Sequence, residues 1–347
     1  MAQTLFICTI LTFFTLNPSL SLDPGDFSLI EFGADSLFHG DYTPPSPPPP
    51  LSPPHPPSLS CEADLNGIGT LETICKLNSS LVFQDDDVYI EGAGSVHVLP
   101  GVTLSCPILG CSLTFNVSGD FVLSQNAALI AGTVYITAFN ASLVYGSVVN
   151  VTGLAGDPPA QTSGTPEGVQ GSGGGHGGRG ASCVVDNMKL PDDVWGGDAY
   201  SWSSLEEPWS YGSQGGTTSK EENFGGKGGG RIRLVVVNEI EVGGSLIADG
   251  GDGGINGGGG SGGSIFVKAH RMTGSGIISA AGGNGFAGGG GGRVSINVFS
   301  KHDETDFFVH GALALSERAS ALVPLLFQCC LRATGELLSA LILHTDV

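Results

Sequence analysis

The sequence predicts an all-β protein built as a parallel β-helix, or β-solenoid, with glycine-rich turns. Three observations support this prediction. Glycine accounts for 57 of the 347 residues, and each interior glycine destabilises a helix by about 1 kcal/mol relative to alanine. Short segments alternate apolar and polar residues, as strands with one buried face do. These segments recur at a spacing of about 30 residues, which is typical of proteins built from stacked repeats.

The charge balance excludes a nucleic-acid partner. Acidic residues outnumber lysine and arginine by 33 to 13, and the formal net charge is −20. A protein that binds a phosphate backbone needs clustered lysine and arginine. Hydrophobic residues make up 40% of the chain, which is enough for a core and argues against disorder throughout.

Residues 1–59 predict a secretory leader followed by a disordered linker. Leu5–Leu16 is an apolar stretch, and Ser19-Leu20-Ser21 follows it as a small-residue cleavage site, so we expect a signal peptide over residues 1–21. Residues 22–59 are acidic and then proline-rich, and proline has no backbone donor with which to build a sheet. We expect a secreted or cell-surface protein, with the endomembrane system or the vacuole as further destinations of the same pathway.

Residues 60–154 predict a glycosylated β region. Short apolar alternations between glycines predict strands around residues 88–90, 96–99, 113–115 and 134–136. This region also contains four sequons for N-glycosylation, which indicate a solvent-facing surface in a secreted protein. The acceptor residues are Asn78, Asn116, Asn140 and Asn150.

The cysteines of this region predict short-range disulfides. In an oxidising compartment the simplest pairs are Cys61–Cys75 and Cys106–Cys111, each of which closes a short loop. The spacing alone leaves other connectivities open. Cys183 then has no evident partner, and a zinc site is disfavoured because paired CxxC spacing is absent.

Residues 155–227 predict a long, loop-like insert that contains every tryptophan of the chain, Trp195, Trp202 and Trp209. Exposed aromatic rings at this spacing are candidates for stacking against sugar rings. The alternative, which we favour, is that they plug the open side or end of the solenoid and bury apolar area there.

Residues 228–311 carry the repeats that predict the solenoid. Strands that begin near Gly230, Gly263 and Gly292 align, with branched apolar residues on one face and polar residues on the other. A second strand recurs in phase at residues 246–251 and 278–283. We expect the glycine runs between strands, such as 257–260 and 288–292, to form the sharp turns of the solenoid, which often need a positive φ.

A pectin-degrading enzyme is the alternative function. Three fragments of the polygalacturonase motifs are present, Asp192-Asp193, Gly175-His176-Gly177 and Arg231-Ile232-Arg233. Acid catalysis on sugars needs paired carboxylates, but the order of the fragments is inverted and the Asn-Thr-Asp triplet is missing. We therefore expect no enzymatic activity and no catalytic residue.

A calcium site is the remaining candidate for bound chemistry. Asp249-Gly250-Gly251-Asp252 is similar to the calcium-binding turns of β-rolls. The next repeat has Ala281 and Asn284 where the acidic residues would lie, so no array of ligands forms. We expect no metal and no cofactor.

Several blocks of the sequence resemble the large plant glycine-rich proteins, some of which are labelled "ephrin type-B receptor-like". They are residues 98–104 with the two cysteines that follow, residues 159–166, and the Trp-containing block 192–202. The resemblance covers about residues 60–311. It implies a secreted, β-solenoid-like ectodomain with membrane spans near the C-terminus of the longer relatives but not in this chain, and it transfers no catalytic residue.

Residues 312–347 depart from the repeats, because they contain one glycine, Gly335, and are rich in leucine and alanine. We expect this tail to lie outside the fold, as in an N-terminal fragment or a truncated gene model. The sequence as a whole predicts a structural or glycan-interacting glycoprotein whose partner is cell-wall polysaccharide. A receptor ectodomain cut off from its membrane anchor is a second alternative.

Overall fold

The computed structural model describes residues 55–157, 171–182, 196–217, 222–312 and 340–345. Within these ranges the regular secondary structure consists of strands, and no helix is present that could cross a membrane. The prediction of an all-β fold is therefore confirmed for the described residues. The signal peptide, nearly all of the linker, Cys183, the Asp192–Asp193 pair and Trp195 lie outside them.

Twelve strands come from the first β region. They are β1 (Ile68–Gly69), β2 (Ile74–Leu77), β3 (Leu81–Val82), β4 (Asp87–Gly92), β5 (Ser95–Val98), β6 (Thr103–Ser105), β7 (Ser112–Val117), β8 (Asp120–Leu123), β9 (Ala128–Ile130), β10 (Thr133–Ala138), β11 (Asn140–Leu143) and β12 (Val148–Asn150).

Eight strands follow in the second region and the tail. They are β13 (Arg231–Val236), β14 (Glu239–Val242), β15 (Ser245–Ile247), β16 (Ser264–Gly274), β17 (Ile277–Ser279), β18 (Arg293–Asp303), β19 (Asp306–Phe308) and β20 (Ala340–Thr345).

These strands form two sheets of mostly parallel strands. The larger sheet has thirteen strands and the smaller has seven, in the order β19-β17-β15-β12-β9-β6-β3. Most strands pair in parallel with the strand three positions later in the chain, as β4 does with β7, β7 with β10 and β10 with β13. The antiparallel exception is β1 with β2. The chain therefore returns to each sheet at regular intervals.

The register of the later strands confirms the sequence alignment of the repeats. Ile232 pairs with Ile265, and Ile265 pairs with Val294. In the smaller sheet Leu246 pairs with Ile278. Because the apolar residues of successive repeats lie side by side, they form one continuous buried core.

Both candidate cysteine pairs form disulfides. Cys61 bonds to Cys75 and Cys106 bonds to Cys111, and all four side chains are buried. The first disulfide joins β2 to the segment that precedes β1, and the second closes the connection between β6 and β7. Disulfides of this kind indicate an oxidising environment.

A glycine-rich segment without regular secondary structure, residues 257–263, lies at the centre of a second packing unit. We call it the central glycine segment. Its backbone N–H groups donate hydrogen bonds to three neighbouring segments in turn. Every third N–H group along the segment therefore donates to the same neighbour. The pairs, at 2.7–3.0 Å, are Gly258 to Gly216, Gly259 to Ala287, Gly260 to Gly251, Ser261 to Ser213, Gly262 to Gly290 and Gly263 to Ala248.

The carbonyl groups of the central glycine segment accept hydrogen bonds from three further neighbours. Gly226 and Gly229 donate to it from one segment, Gly283 and Phe286 from a second, and Gly174 from a third. Three residues per turn with no internal hydrogen bonds is the geometry of a polyproline II helix. We call this segment and its six neighbours (174–176, 213–216, 226–229, 248–251, 283–286 and 287–290) the glycine bundle.

The expectation that the runs 257–260 and 288–292 are turns with positive φ is wrong. None of these glycines has a positive φ. They are glycines because a Cβ atom would collide with a neighbouring backbone: built on Gly259, it would lie 1.7 Å from the carbonyl oxygen of Gly283. The glycines here permit close approach between extended segments rather than a change of direction.

The insert and the tail both contribute to the packed structure. Two of the neighbours in the glycine bundle, 174–176 and 213–216, lie wholly within the 155–227 insert, and a third, 226–229, begins in it, so these parts of the insert are hydrogen-bonded to the rest of the fold. In the tail, β20 pairs in parallel with β18 over six residues. Residues 340–345 therefore extend the larger sheet.

Replacement of Gly259 by alanine tests the packing of the glycine bundle. We expect a loss of about 2–3 kcal/mol in the free energy of unfolding, because the methyl group forces two backbones apart. The measurement is urea unfolding followed by tryptophan fluorescence. The control is Gly243→Ala, where the nearest atom to the new Cβ is 3.1 Å away and the change stays within about 1 kcal/mol. Equal losses in the two variants would contradict the bundle.

Candidate functional site

The tryptophan-containing segment 200–211 lies across the outer face of the larger sheet. Polar side chains on this face hold it in place. The Arg293 guanidinium donates to the carbonyl oxygens of Tyr200 and, at 2.7 Å, of Ser203. Arg293 is on the face of β18 opposite to the apolar core, as the alternation of the sequence predicted. Its guanidinium thus anchors residues 200–211 to the outer face of the larger sheet.

Two serines of neighbouring strands add to this attachment. The Ser264 hydroxyl donates to the carbonyl oxygen of Ser210 at 2.7 Å, and the Ser295 hydroxyl donates to that of Glu206 at 2.6 Å. Each bond satisfies a backbone acceptor in a segment that has no strand partner of its own. The segment is therefore fixed at several points along its length.

Arg231 is the central contact beneath the segment. Its guanidinium lies 4.5 Å from the centre of the Trp209 ring and 3.9 Å from that of Tyr211, which is cation–π geometry. It donates to the Thr133 hydroxyl, the Trp209 carbonyl and, at 2.9 Å, the Tyr211 hydroxyl. Burial lowers the pKa of Arg231 from its usual value. The arginine orders both aromatic rings.

A neighbouring ion pair completes the polar framework. Arg233 donates to the Glu207 carboxylate at 2.8 Å and lies 4.4 Å from the centre of the Phe266 ring. The hydrogen bond and the charge of Arg233 lower the pKa of Glu207, with a smaller electrostatic contribution from Lys268. Glu207 is therefore an ionised acceptor rather than a proton donor.

A surface pocket of about 420 Å³ opens between the segment and the sheet. This volume lies within the range of about 300–1,000 Å³ that small-molecule sites occupy. Trp202, Trp209 and Tyr211 supply aromatic walls, and Asp157, Glu207 and Arg231 supply charged groups. Trp202 stacks on Tyr200 with ring centres 5.1 Å apart, and 46% of its surface stays exposed. The pocket thus combines accessible aromatic surface with fixed polar groups.

Two of the three tryptophans named from the sequence thus meet in one pocket. Trp209 contacts the outer face of the sheet through Tyr135 and Arg231, and Trp202 faces solvent. The segment covers a side of the larger sheet. Sequence reasoning missed Asp157, Glu207 and the anchoring role of Arg231. The alternation of β13 puts its arginines on the face opposite the core, and this pattern was the available signal for the anchoring role of Arg231.

His176 of the Gly-His-Gly fragment is a structural residue and does not line the pocket. Its side chain is fully buried, and Nδ1 lies 2.7 Å from the carbonyl oxygen of Gly262 in the central glycine segment. The ring also packs at 4.7 Å from that of Tyr200. Burial lowers the pKa of His176 to about 3. The imidazole is neutral and donates one hydrogen bond to the bundle.

The acidic residues of the calcium-like turn connect adjacent repeats. Asp249 accepts hydrogen bonds from the Ser279 hydroxyl and the Ala281 N–H, and Asp252 accepts one from the Asn284 N–H. Burial raises the pKa of Asp249. Among the described residues, no group of three or more His, Cys, Asp or Glu side chains could hold a metal ion.

The four sequon asparagines lie at or near the surface. Asn78 is exposed. On the outer face of the larger sheet, Asn116 donates to the Glu91 carboxylate and Asn140 donates to that of Asp120 at 2.8 Å. The Asn150 side chain accepts the backbone N–H of Thr152. Nothing in this arrangement brings the sequons into the pocket.

The buried, neutral His176 predicts a loss of stability in acid. Between about pH 6.5 and pH 3 the unfolded chain binds a proton on this side chain and the folded chain does not, so the free energy of unfolding falls by about 1.4 kcal/mol per pH unit over that range. We expect urea unfolding at several pH values to show a shallower dependence for His176→Asn than for the wild type. His270→Asn, at an exposed histidine, is the control. Parallel curves for the wild type and His176→Asn would refute the assignment.

Comparison with models of known protein families, with curated proteins and with solved structures gives no match for this chain. Fold and pocket therefore have to be interpreted from their own geometry.

Proposed function

We propose that the chain is a secreted β-solenoid glycoprotein that binds cell-wall polysaccharide and catalyses no reaction on it. We also propose that it belongs to the large plant glycine-rich proteins, which several blocks of its sequence resemble. The observation that carries the function is the pocket in which Trp202 and Trp209 meet ordered polar groups on the outer face of the larger sheet.

The pairing of strands supports a solenoid. The series β4, β7, β10, β13, β16 and β18 is parallel and in register, and the smaller sheet follows the same chain order. A chain that returns to the same two sheets in successive repeats buries its apolar stripe against the preceding repeat. The long strand β16 pairs with both β13 and β14, so one strand there spans what two strands span in earlier repeats.

The pocket chemistry supports sugar binding. The carbon-bound hydrogens of a sugar ring carry a small positive charge, and an aromatic face carries a negative one. Trp202 has 46% of its surface exposed to solvent, and the polar residues Ser203, Ser204 and Ser210 line the same pocket. Sugar hydroxyls can donate to Asp157 and Glu207. Arg231 and Arg233 hold this surface in one conformation, which reduces the entropy lost on binding.

The same groups give no support to a hydrolase. A glycosidase needs a carboxylic acid whose pKa is raised so that it can protonate the leaving group. Glu207 has a lowered pKa because of Arg233, and His176 is buried away from the pocket. We therefore retain the binding function over the pectin-degrading alternative.

Secretion is supported by the disulfides and the N-terminal sequence. The two disulfides fit an oxidising compartment, and the apolar leader and the four sequons belong to the same pathway. We propose that the chain reaches the cell surface in glycosylated form.

Replacement of Trp202 by alanine tests the binding function. The full chain, secreted from a eukaryotic host, is measured against a panel of plant cell-wall polysaccharides by affinity electrophoresis. We expect Trp202→Ala to weaken binding about tenfold, or about 1.4 kcal/mol, because it removes a stacking surface. Tyr145→Ala is the matched control, since Tyr145 is 78% exposed and does not line the pocket. Wild-type binding by the Trp202 variant, or no binding by the wild type, would refute the proposal.

A further inference from the structure

The charged groups of the pocket indicate which class of sugar chain it accepts. We infer that the pocket takes an uncharged polysaccharide and discriminates against polymers of uronic acid. This inference rests on the proposed function and specifies the ligand of the same site. Two observations support the inference. The lining cation, Arg231, makes its hydrogen bonds to the protein, and the lining carboxylate of Asp157 makes none with the described residues.

Arg231 is the cation that lines the pocket, and its hydrogen bonds are directed at the protein. A guanidinium has five N–H donors and binds a carboxylate best through two parallel ones. In Arg231, Nε donates to Thr133, Nη1 donates to the carbonyl of Trp209, and Nη2 donates to both Thr133 and Tyr211. With both Nη2 hydrogens used, no adjacent pair of N–H groups remains to grip a ligand carboxylate.

Two aromatic rings also lie against the Arg231 guanidinium. The centres of the Trp209 and Tyr211 rings are 4.5 Å and 3.9 Å from its central carbon. A ligand that stacks on this cation therefore competes with two rings of the protein. The next cation along the strand, Arg233, forms an ion pair with Glu207 at 2.8 Å. Lys268 does not line the pocket, and its charge attracts the same Glu207 carboxylate.

Asp157 is the charged group that remains available. It lines the pocket and makes no hydrogen bond or ion pair with any described residue. An ionised carboxylate accepts hydrogen bonds from sugar hydroxyls, and it repels a second carboxylate brought close to it. The formal net charge of −20 adds a repulsion of longer range. A galacturonate residue in this pocket meets the Asp157 carboxylate, while the cation of the pocket lining, Arg231, already directs its donors at the protein.

Pectins of graded methyl esterification provide the test, because esterification changes the charge and leaves the backbone of the polymer the same. Affinity electrophoresis of the secreted wild-type chain is compared across fully esterified pectin, de-esterified pectin and a neutral xyloglucan. We expect binding to at least one uncharged polymer, and binding to de-esterified pectin at least about tenfold weaker than to its esterified form. Added salt narrows the difference.

Asp157→Asn isolates the local charge, and Asp86→Asn is the matched control because it removes one negative charge at an exposed site away from the pocket. We expect Asp157→Asn alone to improve binding to de-esterified pectin by about three- to tenfold. Equal or tighter wild-type binding to de-esterified pectin overturns this inference and leaves the proposed function standing. No binding to any polymer overturns the proposed function itself. Equal effects of the two variants overturn the role of Asp157.

Discussion

The structure depends on backbone segments that approach one another more closely than side chains allow. In the central glycine segment, a Cβ on any of its glycines would lie 1.7–2.1 Å from a neighbouring carbonyl oxygen. Glycine permits this close approach, and in this packing the N–H and carbonyl groups of segments outside the sheets satisfy each other. The insert, the later repeats and the connections between strands are held together by this one condition.

The pocket is a consequence of this packing. Residues 200–211 are attached to the bundle at both ends, because the Tyr200 N–H donates to the His176 carbonyl and the Gly212 N–H donates to the Gly229 carbonyl. The His176 ring also joins the bundle to Tyr200, on which Trp202 stacks. Between these attachments the segment crosses the outer face of the larger sheet. There the arginines of β13 and β18 donate hydrogen bonds to its carbonyl groups, and Arg231 of β13 also contacts its aromatic rings. The site is thus ordered from both ends and from below.

The strands of the repeats could be predicted from the sequence, whereas several short strands, such as β6, β9 and β12, and the glycine bundle could not. The alternation around Ile232, Ile265 and Val294 is a local signal, and it fixed both the buried face and the register. A glycine run carries no side-chain pattern, so it does not reveal whether it turns or packs against another run far away in the chain. The three tryptophans were identifiable as one aromatic set, but Asp157 joins Trp202 and Trp209 only through the three-dimensional fold.

The glycine bundle also affects how stability depends on temperature. Residues 257–263 bury peptide groups with hardly any apolar side chain, whereas an ordinary core buries hydrocarbon. The heat capacity of unfolding rises with exposed apolar area and falls with exposed polar area. This part of the molecule therefore contributes less than the usual increment of about 12–15 cal/mol/K per residue. A lower heat capacity flattens the stability curve, so the fold retains its free energy over a wider range of temperature than a hydrophobic core of equal length.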